Sequence, residues 1–130
     1  TSDNGGNPKG ISGRQTMYKF SYEEALSESG DRQRENERLA IEQSISLLKS
    51  AQRAGPSSRE AVDAIVFLNR LWSFFLEDLS KPDNGLPDEV RAKLISIGIW
   101  MLKEAQAISN GRSNNFGGLI EVSNVIAEGL

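Results

Sequence analysis

From Asp31 to Leu130 the large apolar residues return at helical spacing in four separate stretches, and nowhere do they alternate with polar residues over a strand's length. That pattern confines the chain to an all-α fold. A strand with one buried face needs a period of two, whereas an amphipathic helix needs apolar residues three and four apart. The first stretch runs from about Asp31 to Arg53. It gathers Ala40, Ile41, Ile45, Leu47, Leu48 and Ala51 on one side, opposite Glu35, Glu42, Ser46 and Lys49. Gly55-Pro56 ends it, because glycine accepts a left-handed cap and proline cannot continue a helix.

The second stretch opens on Ser57-Ser58-Arg59-Glu60, which reads as a capping box between Ser57 and Glu60, and runs to about Leu79. Pro82 and the Asn84-Gly85 turn follow it. The third opens on Leu86-Pro87-Asp88-Glu89, with Pro87 in the first helical position and two acids at the positive helix end, and closes at Asn110-Gly111. The fourth begins near Asn114 or Asn115 and reaches almost to Leu130. Connections this short favour antiparallel neighbours, so the expected architecture is a four-helix up-and-down bundle with a flexible N-terminal extension. Tyr18 to Tyr22 would either pack on the bundle or stay free.

Residues 1–16 have a different texture, with four glycines, one proline and a single large apolar residue, Ile11. Such a segment buries too little to offset its ordering entropy. It reads as a disordered tag or linker ahead of a natural start at Met17, although a native flexible arm would look the same. The expected domain is 17–130. Leaving out Asp3, Lys9 and Arg14, it has 13 basic and 17 acidic residues, net −4.

With no Cys and no His, the chain lacks the ligands of a zinc ribbon, the thiols of a redox motif and the imidazole of a Ser-His-Asp triad. The carboxylate pairs offer little in their place. Glu23-Glu24 and Glu77-Asp78 are adjacent, so in a helix they point about 100° apart. Glu121 and Glu128 share a side but are explained by solvated surface. No catalytic, metal-binding or cofactor-binding residue is expected, and no small-molecule substrate. Scattered basic residues matched by acids argue against direct DNA binding. The longest uncharged apolar run, Leu94–Leu102, falls far short of the ~20 residues of a membrane span, so no membrane insertion is expected.

The apolar surplus on the two middle helices is more informative. In the second, Val62, Ile65, Leu68, Leu71, Trp72, Phe75, Leu76 and Leu79 form one broad face expected in the core. Phe67 and Phe74 sit together well off its centre. In the third, Val90, Leu94, Ile97, Met101, Ala105 and Ile108 form the inner stripe, Gly98 allows another backbone to come close, and Trp100 lies on the far side. A surface helix needs an apolar arc of little more than ~100°. Two readings account for the excess: both helices are buried on several sides, or an apolar groove receives a partner helix. On the second reading the candidate partner-binding residues are Phe67, Leu71 and Phe74, with Phe116 and Ile120 of the fourth helix. Trp100 is a separate exposed anchor.

Several stretches taken together resemble the FlaF family of flagellar biosynthesis regulators. They are Ala54-Gly55-Pro56 with Ser58-Arg59-Glu60-Ala61-Val62, Phe67-Leu68, Arg70-Leu71-Trp72, Glu77-Asp78-Leu79, Leu86-Pro87, Leu94-Ile95-Ser96-Ile97-Gly98-Ile99-Trp100, and Asn115-Phe116-x-Gly118-Leu119-Ile120-Glu121. The resemblance spans Met17 to Leu130. It implies a cytoplasmic protein of flagellated alphaproteobacteria that controls flagellin production and export alongside the regulator FlbT. It further implies flagellin as a direct partner, in a role similar to that of the helical flagellin chaperone FliS, and FlbT as a second partner. It carries over no catalytic or cofactor residue. The expected function is therefore a flagellin-binding export chaperone and regulator of flagellin synthesis. The alternative is a post-transcriptional regulator acting through FlbT or flagellin mRNA, against which the net charge of −4 weighs for direct RNA contact.

Overall fold

A computed structural model describes residues 18–129, with side chains described from Arg32 onward, so the proposed 1–16 linker, Met17 and Leu130 lie outside the described residues. Four helices follow one another: α1 (Tyr18–Ala54), α2 (Arg59–Leu79), α3 (Asp88–Ser109) and α4 (Phe116–Glu128), with no strand among the described residues. The all-α helical bundle expected from the periodicity is what the chain forms. The chain divides into two units between Glu37 and Arg38. Of the first, Tyr18–Glu37 is helical backbone belonging to α1. The helix thus begins well before Asp31, and Tyr18–Tyr22 is helical backbone. No proline interrupts the span, Glu23-Glu24-Ala25-Leu26 are good helix formers, and the interior Gly30 costs only about 1 kcal/mol.

In the second unit each helix end has its own chemistry. Gly55, at φ +105°, takes the left-handed turn after α1 and donates its N–H to the Ala51 carbonyl at 2.8 Å. Ser58 then does two things. Its Oγ accepts the Ala61 N–H at 3.1 Å, capping α2, and donates to the Gly55 carbonyl at 2.6 Å, tying the cap to the preceding turn. The cap is therefore Ser58 and not Ser57. The third helical position falls on Ala61, which has no carboxylate to reach back, so the expected box with Glu60 does not form.

After α2, the Asn84 side-chain amide donates to the Asp78 carbonyl and carboxylate at 3.2 and 3.1 Å, folding the chain over the helix end. Pro87 is the N-cap of α3, one position earlier than expected, and offers no side-chain cap. Asp88 and Glu89 fill the first turn there. Gly111, at φ +75°, turns the chain out of α3 as expected. Asn115 opens α4, its Oδ1 accepting the Gly118 N–H at 3.0 Å.

One core joins the four helices. Leu48 and Ala51 of α1, Ala64, Leu68 and Trp72 of α2, Met101, Ala105 and Ile108 of α3, and Phe116 and Leu119 of α4 are all buried in it. Small residues set how closely the helices approach. A Cβ placed on Gly98 would lie 2.8 Å from Leu76 Cδ2 and 2.9 Å from Trp72 Cε3, so α3 meets α2 at a distance only glycine allows. The sequence expectation for Gly98 holds. Two others do not: Val62 and Val90, expected inside, are exposed. Val62 precedes Leu68 by six residues, about 120° round the helix from it, which carries it off the buried side.

Candidate functional site

The six residues expected to bind a partner separate into three places. Phe74 is 57% exposed, and Phe67 and Leu71, seven and three residues before it, are half-buried. At helical spacing these three share one side of α2. Trp100, 38% exposed, follows Gly98 by two residues and so points about 200° away from the contact with α2. It therefore belongs to a different surface, shared with the exposed Ile99.

Phe116 is a correction. At 2% exposure it is a core side chain, packed with Leu119 under the start of α4, and presents no surface to a partner. Ile120 is partly buried and packs against the same core. The fourth helix therefore spends most of its large apolar residues on the fold, leaving Val125 as its exposed one among the described residues.

On α2, Phe74 is a braced side chain. Its ring lies 6.1 Å from that of Phe75, and Phe75 meets the buried Trp72 edge-on at 5.4 Å. Three aromatics thus run from the core to the surface. Contacts of this kind contribute about 0.5–1.5 kcal/mol each and fix ring orientation, so the outer ring is held in place before anything binds. Around Phe74 lies a shallow depression of about 420 Å³ bordered by Asn69, Arg70, Ser73 and Glu77. It offers an apolar centre with one cation and one anion at its edge. An apolar contact rimmed by charge suits a peptide or helix surface, with burial supplying affinity and the rim supplying orientation.

The sequence reading missed Val62 and Val66. They are 55% and 43% exposed and lie about 120° and 80° round α2 from Phe74, on the flank away from Phe67 and Leu71. Their offset from Leu68 around the helix was the available signal. Their chemistry alone was not, since valine is equally at home in a core. Among the described residues no helix is long and apolar enough to cross a membrane.

No curated protein and no solved structure significantly matches this chain. A family model does, over residues 18–130, and its description is flagellar protein FlaF. That match covers all four helices and the residues of the α2 surface, so the chain belongs to the FlaF family of flagellar proteins.

Proposed function

We propose that this protein is a cytoplasmic, non-enzymatic flagellin-binding export chaperone and regulator of flagellin synthesis, and that it holds a terminal helical segment of flagellin on the exposed side of α2. The observation that carries this reading is the exposed, braced Phe74, with Phe67 and Leu71 beside it on a helix whose other side is already buried. Large apolar groups left at a surface favour a partner that covers them, at roughly 25 cal/mol per Å² of apolar area removed from water. A flagellin terminus, helical only when packed, has the apolar stripe to cover them, and sheltering it would keep it from aggregating before export. FlbT would act as a second partner in the regulatory branch.

Calorimetric titration of monomeric cognate flagellin into this protein tests the reading, at low and high salt and with flagellins lacking either terminus. Saturable binding that varies little with salt and disappears with one terminus is the expected result. No heat up to tens of micromolar flagellin would overturn direct chaperoning and leave regulation through FlbT or flagellin mRNA as the reading to pursue.

A further inference from the structure

The end of the α2–α3 pair nearest the α1–α2 turn holds an open cleft of about 810 Å³. This lies within the usual ~300–1,000 Å³ range of ligand pockets. Its floor is aliphatic, made by Val62, Ile65 and Val66 of α2 and Ile108 of α3. Asn69 stands at one end, and at the other are the α1–α2 turn and the α3–α4 connection, which carries Arg112.

Arg112 is the charged side chain among those lining the cleft, and it makes no ion pair with the described residues. Its backbone is fixed, with its N–H donated to the Ala107 carbonyl at 2.8 Å just after the left-handed Gly111. The neighbouring carboxylate that could neutralise an incoming anion's attraction, Glu104, does not line the cleft and accepts a hydrogen bond from Ser113 Oγ at 2.8 Å. The cleft therefore joins the exposed Val62 and Val66, backed by the buried Ile65 and Ile108, to the turn-mounted Arg112, which has no ion pair among the described residues.

We propose that this cleft captures the C-terminal end of an aliphatic-tailed polypeptide, with the last side chains on Val62 and Val66 and the terminal carboxylate on Arg112. This goes beyond the flagellin reading and does not depend on it. A guanidinium binds a carboxylate through two parallel hydrogen bonds, and the apolar floor supplies burial that a free inorganic anion could not use. The α1–α2 turn and the α3–α4 connection border the cleft at the end that carries Arg112, so the charge stands at one end of the aliphatic strip and not beside its middle. A chain end satisfies that geometry better than an acidic side chain in mid-segment. Capture of a terminal carboxylate beside side-chain pockets is an established mode of peptide recognition.

The test is a proton–nitrogen NMR titration of the full chain with an N-acetylated hexapeptide ending in two leucines. The free acid, the C-terminal amide, and an amide carrying one internal glutamate are compared. Saturable shifts at Val62, Val66 and Arg112 are expected with the free acid, and binding roughly three- to tenfold weaker with the amide. Arg112→Gln should bring the acid down to the level of the amide and leave the amide unchanged. The well-dispersed spectrum of each variant reports that it folds. Equal affinity for acid and amide, equal affinity for the internal glutamate peptide, shifts that avoid the cleft, or none at millimolar peptide would each overturn the proposal.

Discussion

Leu68 and Phe74 are six residues apart on the same helix, and the protein treats them oppositely. Leu68 is completely buried, whereas Phe74 is more than half exposed. The inner side of α2, with Ile65, Leu68, Trp72 and Leu79, is buried, and at Trp72 it closes on Gly98 of α3. The outer side carries Val62 and Val66 on one flank and Phe74 on the other, each about half exposed. Both sides are rich in apolar atoms, so hydrophobicity alone does not separate them. What separates them is position around the helix relative to a small residue opposite. Trp72 fits inside because Gly98 leaves the room its ring occupies. The lesson is that a helix with apolar residues on two sides has one side committed to folding and one available for contact, and mutation tells them apart.

The largest effect should come from the inner side. Leu68→Ala removes a fully buried side chain from the point where four helices share a core, and should lower unfolding free energy by about 2–5 kcal/mol. Urea denaturation followed by circular dichroism reads this directly. A loss below about 0.5 kcal/mol would mean that the inner side is loosely packed and that the contrast between the two sides is unreal. Next comes the contact itself. Gly98→Ala places a methyl group where Leu76 and Trp72 already lie within 3 Å, and should cost about 1–3 kcal/mol despite the better helix propensity of alanine. Near-ultraviolet circular dichroism should change at the same time, because the Trp72 ring has to move. A stabilised Gly98→Ala variant would show that propensity outweighs crowding there and that the helices can separate to admit the methyl.

The sequence carried much of the fold in readable form because its punctuation is chemical. Gly55-Pro56, Asn84-Gly85 and Asn110-Gly111 end or separate helices through constraints that act within a few residues, and each was recognisable without tertiary information. Gly98 was legible as a close approach, since a glycine inside an apolar helical stripe has few other uses. The extent of α1 was less legible. Polar residues such as Ser27, Ser29 and Gly30 look like the approach to a helix, yet nothing among them stops one. The site divided along the same line. Phe67, Leu71 and Phe74 could be grouped from their spacing, but whether their side faces protein or water depends on where the other helices lie. Phe116 was misplaced for that reason. Its place in an apolar stripe of the fourth helix does not tell groove from core, and its ring packs in the core with residues of helices distant in sequence. Arg112 carried no signal at all, because one cation in a polar loop acquires meaning only when the cleft beside it exists.

The smallest stability effect should come from the outer side, and it bears most on function. Phe74→Ser trims a ring that is 57% exposed and whose described ring contact is with Phe75, at 6.1 Å. A surface substitution of this kind should change unfolding free energy by no more than about 0.5–1 kcal/mol, the upper figure allowing for the lost aromatic contact. Flagellin affinity should fall much further, because a central aromatic in an interface often accounts for 2 kcal/mol or more, roughly thirtyfold in Kd. Measured together, thermal unfolding and calorimetric titration give the ratio that matters: a large loss of affinity with nearly constant stability. The reverse, lost stability with unchanged affinity, would mean that the ring serves the core through Phe75 and Trp72 and that the partner seats elsewhere. Since the Phe75–Trp72 contact remains in this variant, the outer ring can be removed without disturbing the inner side of α2, and that independence is what distinguishes a contact surface from the edge of a core.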